Sequence, residues 1–295
     1  MLIRSCILTA LVFICAGPVL AQDSTAVAVP EKKVVRLAKN TFESIWLLDN
    51  QTVMVPKKGS LEMAIQHRFG KVNNGIKDFF GFFAPSNIRL GLSYVVRNNL
   101  NVGLGLTKER MQVDVNAKYA LLKQTESKGV PVSVSVYGNV VIDTRDKSNF
   151  RYSVHRFSYF SQVLIARKVT DHFSVQVAPS FSWFNNVEGY VNSKGEIVNL
   201  MKNGHLAVSV MGRYKFSPKS SLVVNYDQPL TQHPSNNPHP NISFGLETTT
   251  DSHAFQVFAG NYYSIVPQSN NVYNQNDYTK GQFVIGFNIT RLWAF

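Results

Sequence analysis

From Leu61 to the C-terminus the chain alternates apolar and polar residues with period two, and the links between the alternating segments are themselves alternately long and short. Period two puts one set of side chains on each face of a strand. Met111–Leu122 is the cleanest case: Met111, Val113, Val115, Ala117, Tyr119 and Leu121 share one face, and Gln112, Asp114, Asn116 and Lys118 the other. The pattern recurs in Leu61–Phe69, Asn87–Val96, Leu100–Thr107, Val132–Ile142, Arg156–Arg167, Phe173–Phe184, His205–Phe216, Ser220–Asp227, Asn241–Thr249, His253–Tyr262 and Gly281–Trp293, giving twelve candidate strands. Each approaches the ~9–11 residues that a tilted strand needs to cross a bilayer.

Long links at 70–86, 143–155, 185–204, 228–240 and 263–280 alternate with shorter ones at 97–99, 123–131, 168–172, 217–219 and 250–252, and 108–110 alone breaks the rule. A transmembrane barrel sorts its connections this way, with short periplasmic turns and longer outside loops. A water-soluble sandwich has no reason to do so. Closure follows, because an open sheet edge in hydrocarbon would leave peptide groups unpaired. The sequence therefore predicts an all-β fold: a transmembrane, antiparallel, up-and-down β-barrel of about twelve strands over residues 61–295. It also predicts short periplasmic turns, long outside loops, and both termini on the periplasmic side of a cell outer membrane. Outer-membrane lipids are then partners of its outer face. After Val19 no apolar run is long enough for a membrane-spanning helix. Only 16% of residues are charged, and 26 Asn exceed the 18 Asp and Glu combined, so the polar face reads as a confined wet interior.

Residues 1–21 read as a cleaved export signal. Arg4 supplies the positive end, Ile7–Ala16 a short apolar core, and Val19-Leu20-Ala21 a small-residue cleavage site. Both cysteines, Cys6 and Cys15, lie inside it, so the mature chain has no disulfide, thiolate nucleophile or cysteine-ligated metal. Residues 22–60 form a periplasmic N-terminal segment. Within it Thr41 caps an expected short helix carrying Phe42, Ile45 and Trp46, which either plugs the barrel or merely leads into it.

The last strand repeats Phe283, Ile285, Phe287, Ile289, Trp293 and Phe295 at alternate positions. With Trp293 and the terminal Phe295 it resembles the C-terminal signal that the barrel-insertion machinery recognises. The segments Asn40-Thr41-Phe42-Glu43-Ser44, Asp49-Asn50-Gln51-Thr52-Val53, Gln66-His67-Arg68-Phe69-Gly70, Ala84-Pro85-Ser86-Asn87-Ile88-Arg89 and Lys118-Tyr119-Ala120-Leu121-Leu122 resemble a Bacteroidota family of outer-membrane β-barrel proteins described as a domain of unknown function. That resemblance implies fold and location from about Asn40 onward, and neither substrate nor catalytic residues.

Twelve strands fall between barrels filled by their own side chains and open porins. Alternation assigns Glu62, Arg68, Arg89, Asp114, Lys118 and Arg213 as pore-lining candidates, with Arg156, Lys215, Asp227 and Glu247 also pointing inward. More cations than anions on this face tilts a pore towards anions; a bracing salt-bridge network is the competing reading. The apolar loop Ile76–Phe83 is expected to constrict the lumen, lie at the lipid interface, or cover the mouth. The function expected is a porin-like channel or uptake protein for a small polar solute, with a plugged barrel serving as envelope anchor or partner platform as the alternative.

An enzyme is not expected. Ser153-Val154-His155 places a hydroxyl and an imidazole on one face of an extended segment, as a lipid hydrolase would need, but no orienting acceptor or oxyanion donor accompanies them. His233 and His239 share a Pro/Asn-rich loop without any metal-binding spacing, so no metal and no cofactor is expected. The basic stretch Lys32-Lys33-Val34-Val35-Arg36 lacks aromatic interleaving, and nucleic-acid binding is not expected.

Overall fold

The computed structural model describes residues 36–126 and 129–295. The expected export signal and most of the basic stretch lie outside the described residues. In chain order the strands are β1 (Trp46–Leu47), β2 (Asn50–Gln51), β3 (Ser60–Lys71), β4 (Asn87–Arg97), β5 (Leu100–Thr107), β6 (Gln112–Leu122), β7 (Ser133–Asp143) and β8 (Phe157–Lys168). They continue with β9 (Phe173–Phe184), β10 (Gly189–Val191), β11 (Ile197–Asn199), β12 (Gly204–Lys215), β13 (Ser220–Pro229), β14 (Asn241–Thr249), β15 (His253–Gly260) and β16 (Val284–Ala294), with one helix, α1 (Pro267–Tyr273), before the last.

Twelve of these form a closed antiparallel barrel in which each strand pairs with its sequence neighbour and β16 closes on β3, with Ile289 opposite Ile65. No helix among the described residues is long and apolar enough to cross a membrane. All twelve expected strands are present, most displaced by one to three residues at an end.

Burial is inverted relative to a soluble protein. Gln66, Arg68, Asn225 and Ser209 are fully buried, while Leu106, Val115, Leu206 and Val257 are more than half exposed. The apolar face is thus the outer one, as a bilayer requires. Where the wall carries bulky charge it makes room with glycine. A Cβ on Gly105 would lie 2.3 Å from both Arg89 Nη2 and Asp114 Oδ2, so that position must stay bare.

The structure corrects several expectations. β8 starts at Phe157, so Arg156 does not face the lumen; it sits in a 3-10 turn, Ser153–Arg156, donating to the carbonyls of Asp143 at 3.0 Å and Arg145 at 2.7 Å. That turn also breaks the extended geometry that put Ser153 and His155 on one face. The His155 ring instead meets Tyr152 edge-on at 5.2 Å. Ile76–Phe83 does not enter the lumen. Ile76 and Phe83 are more than four-fifths exposed, and Phe82 packs on the outward-facing Phe69 at 4.4 Å between ring centroids.

Candidate functional site in the barrel lumen

From Thr41 on, the described N-terminal segment lies inside the barrel, and it is not helical. Residues 41–45 are bends that lead into the β1–β2 hairpin, whose tip is Leu48-Asp49. Leu47 and Leu48 are fully buried, as is Thr52. So short a hairpin cannot satisfy its own backbone, and an unpaired buried peptide group is costly. The wall supplies the partners. Gln256 accepts from Leu48 N–H at 3.0 Å and donates to the Trp46 carbonyl at 2.9 Å. Gln176 accepts from Val53 N–H at 2.9 Å and donates to the Gln51 carbonyl at 2.8 Å. Asn288 donates to the Leu48 carbonyl at 2.6 Å, and Ser135 to that of Val53 at 2.9 Å. These wall residues come from β15, β9, β16 and β7, so the hairpin is gripped around the circumference.

The expected pore-lining residues are at this grip. Lys118 donates to Gln51 Oε1 at 2.8 Å and to the carbonyls of Thr52 at 2.9 Å and Ile45 at 3.4 Å. Arg68 donates to Asn288 Oδ1 at 2.9 Å and to the Leu48 carbonyl at 3.4 Å, with its guanidinium 4.5 Å from the Phe258 ring centroid. Arg213 pairs with Glu43 at 2.6 Å and Glu247 at 3.4 Å. Arg89 makes a two-pronged bond with Asp114, both arms 2.8 Å, and reaches Gln66 at 3.0 Å. Glu62 is buried, and its Oε1 has no hydrogen-bond partner among the described residues. Lys215, at the end holding the short turns, is less buried and contacts Glu43 at 3.3 Å. Without Arg156, the buried wall charges are four cations (Arg68, Arg89, Lys118, Arg213) against five anions (Glu62, Asp114, Asp143, Asp227, Glu247). The expected excess of positive charge is absent.

A second closure enters from the end carrying the long loops. The last loop folds back into the barrel, and Pro267–Val272 of α1 are buried against β8, β9, β12 and β13. Pro267 at the first helical position suits a helix start. Gln268 and Asn139 exchange amide hydrogen bonds at 2.9 and 3.3 Å. Asn274 donates to Asn241 at 2.8 Å. Neither the hairpin's wall partners nor this loop was singled out from sequence. The surplus of amides was the available signal, but it was read as a lining for water.

The two closures leave a cleft at each mouth. One of about 660 Å³, at the short-turn end, is bordered by Glu43, Lys57, Lys215 and Lys219. The other, of about 920 Å³, lies among the long loops, with Asn270 of α1 in its lining.

The sequence matches the family described as Membrane bound beta barrel domain (DUF5777) over residues 42–293. The chain belongs to that family. Among solved structures it is similar to the NanC porin, at 12% identity with a TM-score of 0.48 over 80% of this chain and 99% of that one. It is also similar to the COG4313 outer membrane channel from Pseudomonas putida F1, at 10% identity and TM-score 0.48, over 81% of this chain and 97% of that one. For the KdgM porin the identity is 10% and the TM-score 0.42, covering 80% and 99% of the two chains. No curated protein matches.

Proposed function

We propose that this member of the membrane-bound β-barrel family is an outer-membrane barrel, porin-like in its wall, that its own N-terminal hairpin holds shut. Solute crosses only when the hairpin leaves and the loop carrying α1 also clears the lumen. The observation that carries this reading is the satisfaction of the hairpin's main chain by side chains from around the wall. Each such bond contributes about 0.5–1.5 kcal/mol net, and about 1.5–3 where one partner is charged. Summed over the hairpin, displacement costs on the order of 10 kcal/mol, far more than thermal motion supplies. The family match begins at residue 42, so the hairpin is part of the shared domain rather than an appended tail. The periplasm faces the short turns and both termini. The exposure of Phe295 beyond the end of β16 supports a role as the signal read by the barrel-insertion machinery.

The test is conductance in a planar bilayer. The chain from Gln22 onward is expected to be silent, and a variant lacking residues 22–56 with α1 replaced by a short Gly/Ser link to give discrete steps with weak ion selectivity, because four buried wall cations face five buried anions. Steady conductance from the intact folded chain would overturn the closed reading. Silence from both forms would leave a permanently filled barrel, an anchor or partner platform.

A further inference from the structure

The cleft at the long-loop mouth is open above and floored by α1, and its three carboxylates and Arg110 are already engaged. Asp78 accepts from Asn74 Nδ2 at 2.8 Å and from Gly81 N–H at 2.9 Å. Glu109 accepts from Asn87 at 3.2 Å, and Glu188 from Asn236 at 2.9 Å. The Arg110 guanidinium lies 5.2 Å from the centroid of the Tyr273 ring. Arg110 and Met111 are held at φ of 53° and 49°, the left-handed region that side chains avoid, and this keeps Arg110 over that ring. Lys71 and Arg110 against three carboxylates give no basic convergence for an anion.

Apart from Lys71, the groups left over are neutral. Asn270 lines the cleft though only 2% exposed; its amide nitrogen is used by the hairpin, and its buried Oδ1 has no hydrogen-bond partner among the described residues. Asn73, Ser264 and Asn276 line the same cleft, and their side chains make no hydrogen bond among the described residues. Amides and hydroxyls offer both donors and acceptors, which is what a ligand dense in hydroxyls needs. At about 920 Å³ the cleft is at the upper end of the ~300–1,000 Å³ typical of ligand pockets.

We propose that this cleft binds a neutral polyhydroxylated ligand, an oligosaccharide, with a sugar hydroxyl donating to Asn270 Oδ1. The proposal rests on the closed reading in one respect: the hairpin, through Asp49, fixes the Asn270 amide and so the direction of its oxygen.

Titration calorimetry on the intact barrel tests it, in an amine-oxide detergent because maltoside headgroups would themselves occupy such a site. The probes are maltohexaose, cellohexaose and xylohexaose, with citrate and tripolyphosphate as anionic counterparts. At least one neutral hexasaccharide is expected to bind and the anions are not. Asn270→Leu is expected to weaken binding by about tenfold or more. Asn73→Ala and Ser264→Ala, at partly open positions that do not disturb α1, are expected to weaken it several-fold. A lipid-linked neutral glycan in nanodiscs, offered in a second arm, separates a free sugar from a headgroup as the source. Absence of binding by every neutral glycan in both arms overturns the proposal. So does tighter binding of the anions, or binding unchanged in all three variants. A silent barrel that binds no glycan defeats this proposal alone, whereas a conducting barrel that binds one defeats only the closed reading.

Discussion

Asn270 of the last loop donates to Asp49 of the N-terminal hairpin at 3.4 Å, so the closures entering from opposite ends of the barrel touch in the middle. Asp49 is held from the wall as well, by Asn225 at 3.0 Å. Two groups in one network should not contribute independently. In a double-mutant cycle of Asp49→Ala and Asn270→Ala, followed by the temperature at which the folded barrel loses its gel shift, we expect a coupling of about 0.5–3 kcal/mol. Simple additivity would mean that the two closures are energetically separate.

Absence of cysteine from the described residues makes the hairpin easy to probe. Leu48 at its tip is fully buried, so Leu48→Cys should resist a membrane-impermeant maleimide in the folded barrel. Lys118 holds three oxygens of the hairpin at once, and Lys118→Met leaves the Ile45 and Thr52 carbonyls without that donor. The double variant should label at least several-fold faster than Leu48→Cys alone. Equal rates would mean that Lys118 does not hold the hairpin in place.

The barrel was legible in the sequence because period-two alternation and link length are local properties. Each strand carried its own signal, and closure followed from the cost of an open edge in lipid. The inward direction of Arg68, Arg89, Lys118 and Arg213 came from the same alternation. What those side chains bind was not legible, since Lys118 meets Thr52 across 66 residues and Arg213 meets Glu43 across 170. The bends at 41–45 that lead into the hairpin are predicted as a helix because Phe42, Ile45 and Trp46 recur at helical spacing. In the barrel they are buried in a segment whose backbone is satisfied by wall amides, which local propensity does not see. Arg156 was assigned inward because alternation was extended one residue past the true start of β8.

Arg89 and Asp114 brace the wall, with side chains only 4% and 3% exposed. Breaking a buried pair leaves the other charge uncompensated and costs about 3–5 kcal/mol. Asp114→Leu alone should therefore lower the gel-shift midpoint sharply, and adding Arg89→Met should restore much of the loss. Gly105→Ala should mimic part of the damage with no change of charge, since its new methyl group would displace both side chains. If the double variant is as unstable as Asp114→Leu, the pair does not act as a unit.

Closure at the long-loop mouth should weaken in acid through His233. Its Nδ1 accepts from the Lys202 N–H at 2.9 Å, which requires that nitrogen to be unprotonated, and its Nε2 lies 2.9 Å from His205 Nδ1 with the rings stacked at 5.1 Å. Burial holds the His233 imidazole below the ordinary histidine range, and the nearby Lys202 charge adds to this. A histidine whose folded pKa is depressed contributes stability that is complete above the unfolded value of about 6.5. That stability is lost as pH falls through 6.5 towards the lower folded value. The loop at 230–240 should then become more susceptible to proteolysis between about pH 7.5 and pH 5, after correction for protease activity on the unfolded chain. His233→Ala should be cut equally at both pH values. Native cleavage that stays flat across this window would mean that His233 does not tie the loop down.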